Sequence, residues 1–465
     1  MNLPLVILLL YAAVLMAVGL WIGRRVQTSS DFFVAGRRLG PGLIFTTLLA
    51  ANIGAGSTMG AAQRGYSDGL SAWWWVGSAG FGSLVLAFWV GPKLRAVAAR
   101  HDLQTVGDYL EHRYGPQVRA TVAILLWAGG LSLLAGQLMA MGYVLNVVTG
   151  IDPRVGSVIG GLVVTVYFTA GGLLASVWVN AVQLGVLLVG FVIAFPVILG
   201  SVGGLAPVVE ATRDIDNFWN FWAGGNSGWI YLASLGPSFI VSPGILQRVY
   251  GARDDRAIRI GVGLNAVALL VFAAAPALLG MIARMVAPDL ADPDLALPVL
   301  LLETLPVLLG AVALAAIFSA EVSSADAMLF WLATSLSKDL YARFVRPDAG
   351  DAEILRVARR AAVAGGVAGI AIAMISSSIV TALLIFYTLL AVSLFVPVIV
   401  GLYSGRVRTR EAMASMVVGV PIAAVVQLTN LGGLGQFAAI LGIGAALTAA
   451  LAAALTGRHT SAEVS

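Results

Sequence analysis

Thirteen stretches of about twenty apolar residues follow one another along this chain and leave little sequence between them. They lie at about 3–23, 42–64, 70–94, 118–149, 154–172, 174–200, 228–249, 257–286, 305–337, 355–376, 379–403, 411–430 and 435–456. A run of this length crosses the hydrocarbon core of a bilayer as a helix, because lipid offers backbone N–H and C=O groups no partner outside the segment. The chain therefore reads as an all-α membrane protein of about 13 transmembrane helices, one domain over residues 1–465. Composition agrees, with 59% hydrophobic and 11% charged residues, where soluble domains carry about 25% charged.

Charge sets the expected orientation. No basic residue precedes the first span and Arg24 and Arg25 follow it, which is the reverse of a secretory signal and places the N-terminus outside. Of the 27 Lys and Arg, about 23 then fall on the even-numbered side, and Arg64, Arg154, Arg213 and Arg284 on the other. The expectation is a multi-pass protein of the bacterial inner membrane with a cytoplasmic C-terminus. The basic excess is a topology signal and implies no nucleic-acid partner. Without cysteine there are no disulfides, haem thiolates or iron–sulfur sites. There is no G-x-x-x-x-G-K-[ST] loop for ATP, and His101, His112 and His459 lack ligand spacing. No nucleophile with a base is evident either, so the chain does not read as an enzyme. No obligate protein partner is evident, and the bilayer is the expected surrounding.

Loops 201–227 and 287–304 carry acids with prolines or glycines and suit short surface helices or a lid; 95–117 suits a helix lying on the membrane surface. Trp73, Trp74 and Trp75 suit an interfacial belt, with one of them turning inward.

Two spans carry the marks of interruption. The second holds ANIGAGSTMG at 51–60, with Gly54, Gly56 and Gly60 beside Asn52, Ser57 and Thr58; the seventh holds LGPSFIVSPG at 235–244, with Pro237, Pro243 and Ser238 and Ser242. These spans stand five apart, and an odd separation makes each the first helix of a five-helix unit of opposite orientation. Broken helices at matching places in inverted halves point to a midplane site in a secondary transporter, where unwound carbonyls coordinate a cation. The units would be 42–200 and 228–404, preceded by a first helix and loop at 1–41 and followed by C-terminal helices at 405–465.

The ninth span contains AAIFSAEVSSADAMLF at 315–330. An ionised carboxylate at the centre of a membrane helix costs at least roughly 2.5–3.5 kcal/mol, so Glu321 and Asp326 imply a polar cavity or a bound cation. At 100° per residue Ala320, Ser323, Ser324 and Ala327 share one face, and Ser319, Ser323 and Asp326 an adjoining strip. Glu321 points with Ser324, away from Asp326. A buried acid of this kind can carry a proton, which makes Glu321 a candidate proton site. Gln137, in an otherwise apolar run, is a candidate hydrogen-bond donor to a solute, and Tyr387 and Ser393 are candidate gate residues.

The chain resembles the sodium:solute symporters through DFFVAGRRLGPG at 31–42, AANIGAG at 50–56, GGLLASVWVNAVQ at 171–183, ILQRVYGA at 245–252 and SSADA with KDLY at 323–341. The resemblance implies a LeuT-like core of 5+5 inverted helices, broken at spans 2 and 7, that couples inward sodium movement to uptake of a small polar solute by alternating access. Carried over, the sodium ligands are Ala50, Ile53, Ala320, Ser323 and Ser324. Asn52 and Ser57 would line the solute pocket, with Ser238 and Ser242 across from them. Where the family usually has an aspartate this chain has Asn180, so Asn180 with Asp326 marks a second cation site or ion path that lacks one charge. A proton-coupled symporter and a transporter-like nutrient sensor are the alternatives on the same fold. The solute itself is not legible.

Overall fold

The computed structural model describes residues 3–23, 40–103, 105–222, 228–430 and 433–462, so most of the motif at 31–42 lies outside them. All elements within them are helical. α1 is Leu3–Gly23; α2 is Pro41–Asn52; a π-helical turn, Gly56–Gly60, leads into α3, Ala61–Asp68. Gly69, with φ +70°, then turns the chain: a Cβ there would stand 1.9 Å from the Phe218 carbonyl, which accepts the Leu70 N–H at 2.8 Å. α4 is Trp73–Val85 and continues through a π turn into α5, Gly91–Arg100; α6 is Val106–Tyr114, α7 Pro116–Thr149, α8 Pro153–Ser201 and α9 Leu205–Ala211. The second half comprises α10 (Gly228–Val241), α11 (Pro243–Tyr250), α12 (Asp255–Phe272), α13 (Ala274–Val286), α14 (Ala296–Thr304), α15 (Val307–Thr334), α16 (Asp351–Ile375) and α17 (Ile379–Leu394). α18 (Thr409–Thr429) and α19 (Ala438–Ala462) pair at its edge. Among the described residues, eight helical runs are long and apolar enough to cross a membrane, or up to ten when each bent pair counts as one.

The fifth and sixth expected spans are joined without a gap in one helical run of 49 residues, α8. Gly171 and Gly172 weaken a helix there by about 1 kcal/mol each, but glycine removes no hydrogen bond as proline does. Laid straight, the run would measure roughly 73 Å, over twice the hydrocarbon thickness. Both its ends nevertheless meet the same end of the molecule. Pro153 lies against Gly142, next to Tyr143, whose hydroxyl donates to Asp292; α9, just beyond Ser201, packs on α13. The run thus leaves that end and returns to it, as two passes do. Its first half packs on α7 and α16 (Gly160 on Met141, Gly161 on Ile370), its second on α1 and α15 (Gln183 on Tyr11, Gly190 on Ala316).

The 95–117 stretch differs from the sequence reading. α5 carries the preceding span to Arg100, the chain turns at Asp102 (φ +55°), and α6 starts from a capping box between Thr105 and Asp108. Val106, Tyr109, Leu110 and Tyr114 are buried, so this helix is docked to the protein rather than laid on lipid.

Helix packing shows a reciprocal exchange. α2 packs on α12 while α10 packs on α4; α7 packs on α17 while α15 packs on α8. Exposed Ile124, Val192, Val271, Ile375 and Leu428 face outward, as lipid-facing side chains do.

Candidate functional site

α2 stops at Asn52, where Ile53 leaves the helical region (φ −100°, ψ 105°). Gly54 makes room for the neighbouring helices at this break. A Cβ on it would stand 2.1 Å from Ser324 Oγ and 3.1 Å from Gln137 Oε1, so only glycine lets α15 and α7 approach this closely. The Gly54 N–H donates to Ser57 Oγ at 3.0 Å, which leaves the Ala50 carbonyl without the donor a continuing helix would supply. The Ile53 carbonyl accepts from Ser324 Oγ at 3.4 Å. Ala320 and Ser323 are buried beside Ser324 on the same helix. Of the proposed sodium ligands, Ile53 and Ser324 therefore touch. Ala50, Ala320 and Ser323 flank that contact.

Beyond the break, the chain ties its own polar groups together. The Ala55 N–H donates to Gln137 Oε1 at 2.9 Å and also serves the Glu321 carboxyl. Thr58 Oγ1 lies 3.0 Å from Glu321 Oε1 and 2.9 Å from the Gly54 carbonyl. Trp75 Nε1 donates to the Gly56 carbonyl at 2.7 Å, so Trp75 is the tryptophan of the triplet that turns to the break; Trp74 instead donates to the Phe221 carbonyl. Glu321 is fully buried, makes no ion pair among the described residues, and its Oε2 has no hydrogen-bond partner. The sequence marked Glu321 and Gln137 as polar intruders but carried no sign that both close on Ala55.

Other candidate residues have different occupations. Ser57 turns its hydroxyl back to Gly54, donating to that carbonyl at 3.2 Å. Asn52 donates to Asn265 Oδ1 at 3.3 Å and so faces α12. Ser238 donates to the Tyr387 carbonyl at 2.8 Å, joining α10 to α17. Ser242 stands half-buried at the joint between α10 and α11, which bends by 42°. Ser393 bonds back into its own helix. On the strip that holds Asp326, itself buried, Tyr11 donates to Ser319 at 2.5 Å and accepts from Gln183 at 2.9 Å. The side chain of Asn180 lies outside the described residues.

At the far end of α3 a second polar group was not read from sequence. Arg64 pairs with Asp68 at 3.3 Å, and Tyr231 donates to the same Asp68 oxygen at 3.2 Å. Asp294, 1% exposed, accepts the Ile379 N–H at 3.1 Å. Burial pushes its carboxyl up to about 7; neighbouring Asp292 adds to this, and the Ile379 N–H, Arg64 and Tyr143 oppose it.

Among the described residues no group of three or more His, Cys, Asp or Glu gathers as a transition-metal site would require. Carbonyls and hydroxyls at a helix break instead suit a hard alkali cation, whose water shell such oxygens replace.

The family model of the sodium:solute symporter family matches residues 32–419. The sodium/pantothenate symporter of Escherichia coli (strain K12) is 27% identical, over 92% of this chain and 91% of that protein. A high-affinity proline transporter of Bacillus subtilis is 27% identical over 87% and 88%, and the sodium/glucose cotransporter of Vibrio parahaemolyticus 26% over 89% and 83%. Among solved structures, a substrate-bound, outward-open sodium-coupled sialic acid symporter superposes with a TM-score of 0.76 at 18% identity, over 97% of this chain and 98% of that one, which shows the shared fold. The chain belongs to the sodium:solute symporter family: it is a membrane transporter rather than an enzyme, and sodium is its coupling ion.

Proposed function

We propose that the protein carries a small polar solute into a bacterial cell across the inner membrane together with sodium, by alternating access around the break in α2 and α3. The observation that carries the reading is the meeting of the Ile53 carbonyl and Ser324 Oγ across that break. Ala50, Ala320 and Ser323 complete an oxygen set for one sodium ion, and the solute lies beside it near Gly56. One positive charge moving down about 100 mV supplies roughly 2.3 kcal/mol, enough to hold a gradient of about fiftyfold.

The reciprocal packing of α2 on α12 and α10 on α4, with α7 on α17 and α15 on α8, supports two inverted five-helix units, 42–200 and 228–404. A pseudo-two-fold axis pairs each contact with its exchanged copy, whereas an unrelated arrangement of helices has no reason to do so. Orientation follows from charge. Contacts of Arg95 with Asp255, Arg343 with Glu111 and Arg113 with the Ser404 carbonyl gather the basic loops of both halves at one end, which we assign to the cytoplasm.

Uptake into proteoliposomes of labelled solutes of the kinds named for the relatives, with and without an inward sodium gradient, tests the reading. Accumulation that requires the gradient is expected. Binding without gradient-driven accumulation would show a sensor instead.

A further inference from the structure

We propose that Glu321 sets the charge of the solute: the site selects a small amine-bearing solute and rejects a carboxylate. The inference rests on the symporter reading, in which the solute lies beside the break. The first N–H groups of an interrupted helix carry its positive dipole end, and this is where a carboxylate would bind. Here four of those donors are already used within the chain. The Gly54 N–H goes to Ser57 Oγ, the Ala55 N–H to Gln137 and Glu321, and the Ser57 and Thr58 N–H groups both to the Gly54 carbonyl at 3.0 Å. The protein's own carboxylate thus stands beside these donors, where it would repel an anionic solute.

Glu321 also offers something to a cation. Its Oε1 is engaged by Thr58, its Oε2 has no partner, and no Lys or Arg among the described residues forms an ion pair with it. Aromatic rings stand at the Gly56 side of the same break. Trp75 bonds the Gly56 carbonyl, the Tyr387 hydroxyl lies 3.8 Å from where a Gly56 Cβ would be, and the Tyr231 ring packs edge-on against Trp75 at 5.5 Å. A carboxylate oxygen lacking a donor, at a break that also carries aromatic residues, matches an ammonium group.

The test uses the full chain in lipid nanodiscs in sodium buffer, with thermal-shift titrations of three probes of similar size: ethanolamine, ethylene glycol and glycolate. Wild type is expected to bind ethanolamine at least about tenfold more tightly than glycolate, and Glu321→Gln to lose that preference by about tenfold or more. Equal or reversed preference in wild type overturns the proposal, as does an unchanged preference in Glu321→Gln. Stabilisation by sodium alone, without probe, reports the symporter reading separately and shows whether the variant is folded. Should Glu321→Gln fail that check, Glu321→Ala is read by the same criterion.

Discussion

Thr58 and Glu321 stand 263 positions apart in sequence, yet their side chains meet at 3.0 Å inside the membrane. Thr58→Val removes the donor and leaves a buried carboxyl oxygen bare, which should cost about 1–3 kcal/mol and lower the thermal unfolding temperature in detergent; Thr58→Ser should keep most of it. Gly280 makes a second close approach, since a Cβ there would stand 2.0 Å from the Ala62 carbonyl. Gly280→Ala should therefore destabilise by about 1–3 kcal/mol through backbone displacement, read in the same melts. Sequence reasoning found the serines of α15 because a helical face is a local property. It could not find what Glu321, Gln137 and Ser57 bond to, because each partner is chosen by how other helices pack.

At the scale of elements, α6 is the clasp between the halves. Arg119 on α7, its side chain 11% exposed, pairs with Asp108 at 3.1 Å, Glu111 at 2.7 Å and Asp339 at 2.7 Å. Glu111 also pairs with Arg343, and that bond, ahead of Arg119, holds its carboxyl below the usual range. Arg119→Met removes the cation shared by three acids, of which Glu111 keeps Arg343, and should cost about 3 kcal/mol in thermal stability, whereas removing the exposed Arg213 from its pair with Glu210 should change it by less than about 0.5 kcal/mol. The interrupted helices were legible because glycine, proline and small hydroxyls cluster at breaks. The run through α8 was not, because glycine pairs weaken helices without ending them. The clasp was missed for a different reason: charges at 95–117 looked like a solvated face, and ion pairs buried between elements leave no local pattern.

For the whole molecule, the Arg64 and Asp294 groups tie α3 to α10 and the turn before α14 to α17, at the end of the bundle opposite the basic loops. Because burial raises Asp294 to about 7, this packing retains a proton that an exposed carboxylate releases near pH 4. The packed arrangement is thus favoured most at low pH and loses this contribution as pH rises through 7. Labelling of a Ser57→Cys reporter by an impermeant maleimide from that side, normalised to an exposed Asp289→Cys, should speed up from pH 6 to 8; Asp294→Asn should flatten the change, and an unchanged profile would count against this role of Asp294. A cysteine replacing Asp292 should be labelled from outside and one replacing Arg408 should not. The all-helical fold and the family were legible because apolar length and motif order act along the chain. The Arg64 and Asp294 groups were not, since they join segments distant in sequence. Sodium binding at the break is the central claim, and sodium-dependent thermal stabilisation tests it most directly. Wild type should gain stability with sodium and not with equal potassium, following RT ln(1 + [Na+]/Kd), and Ser323→Ala or Ser324→Ala should shift the required sodium concentration upward about tenfold or more. Equal stabilisation by both cations, or variants that respond as wild type does, would contradict the account.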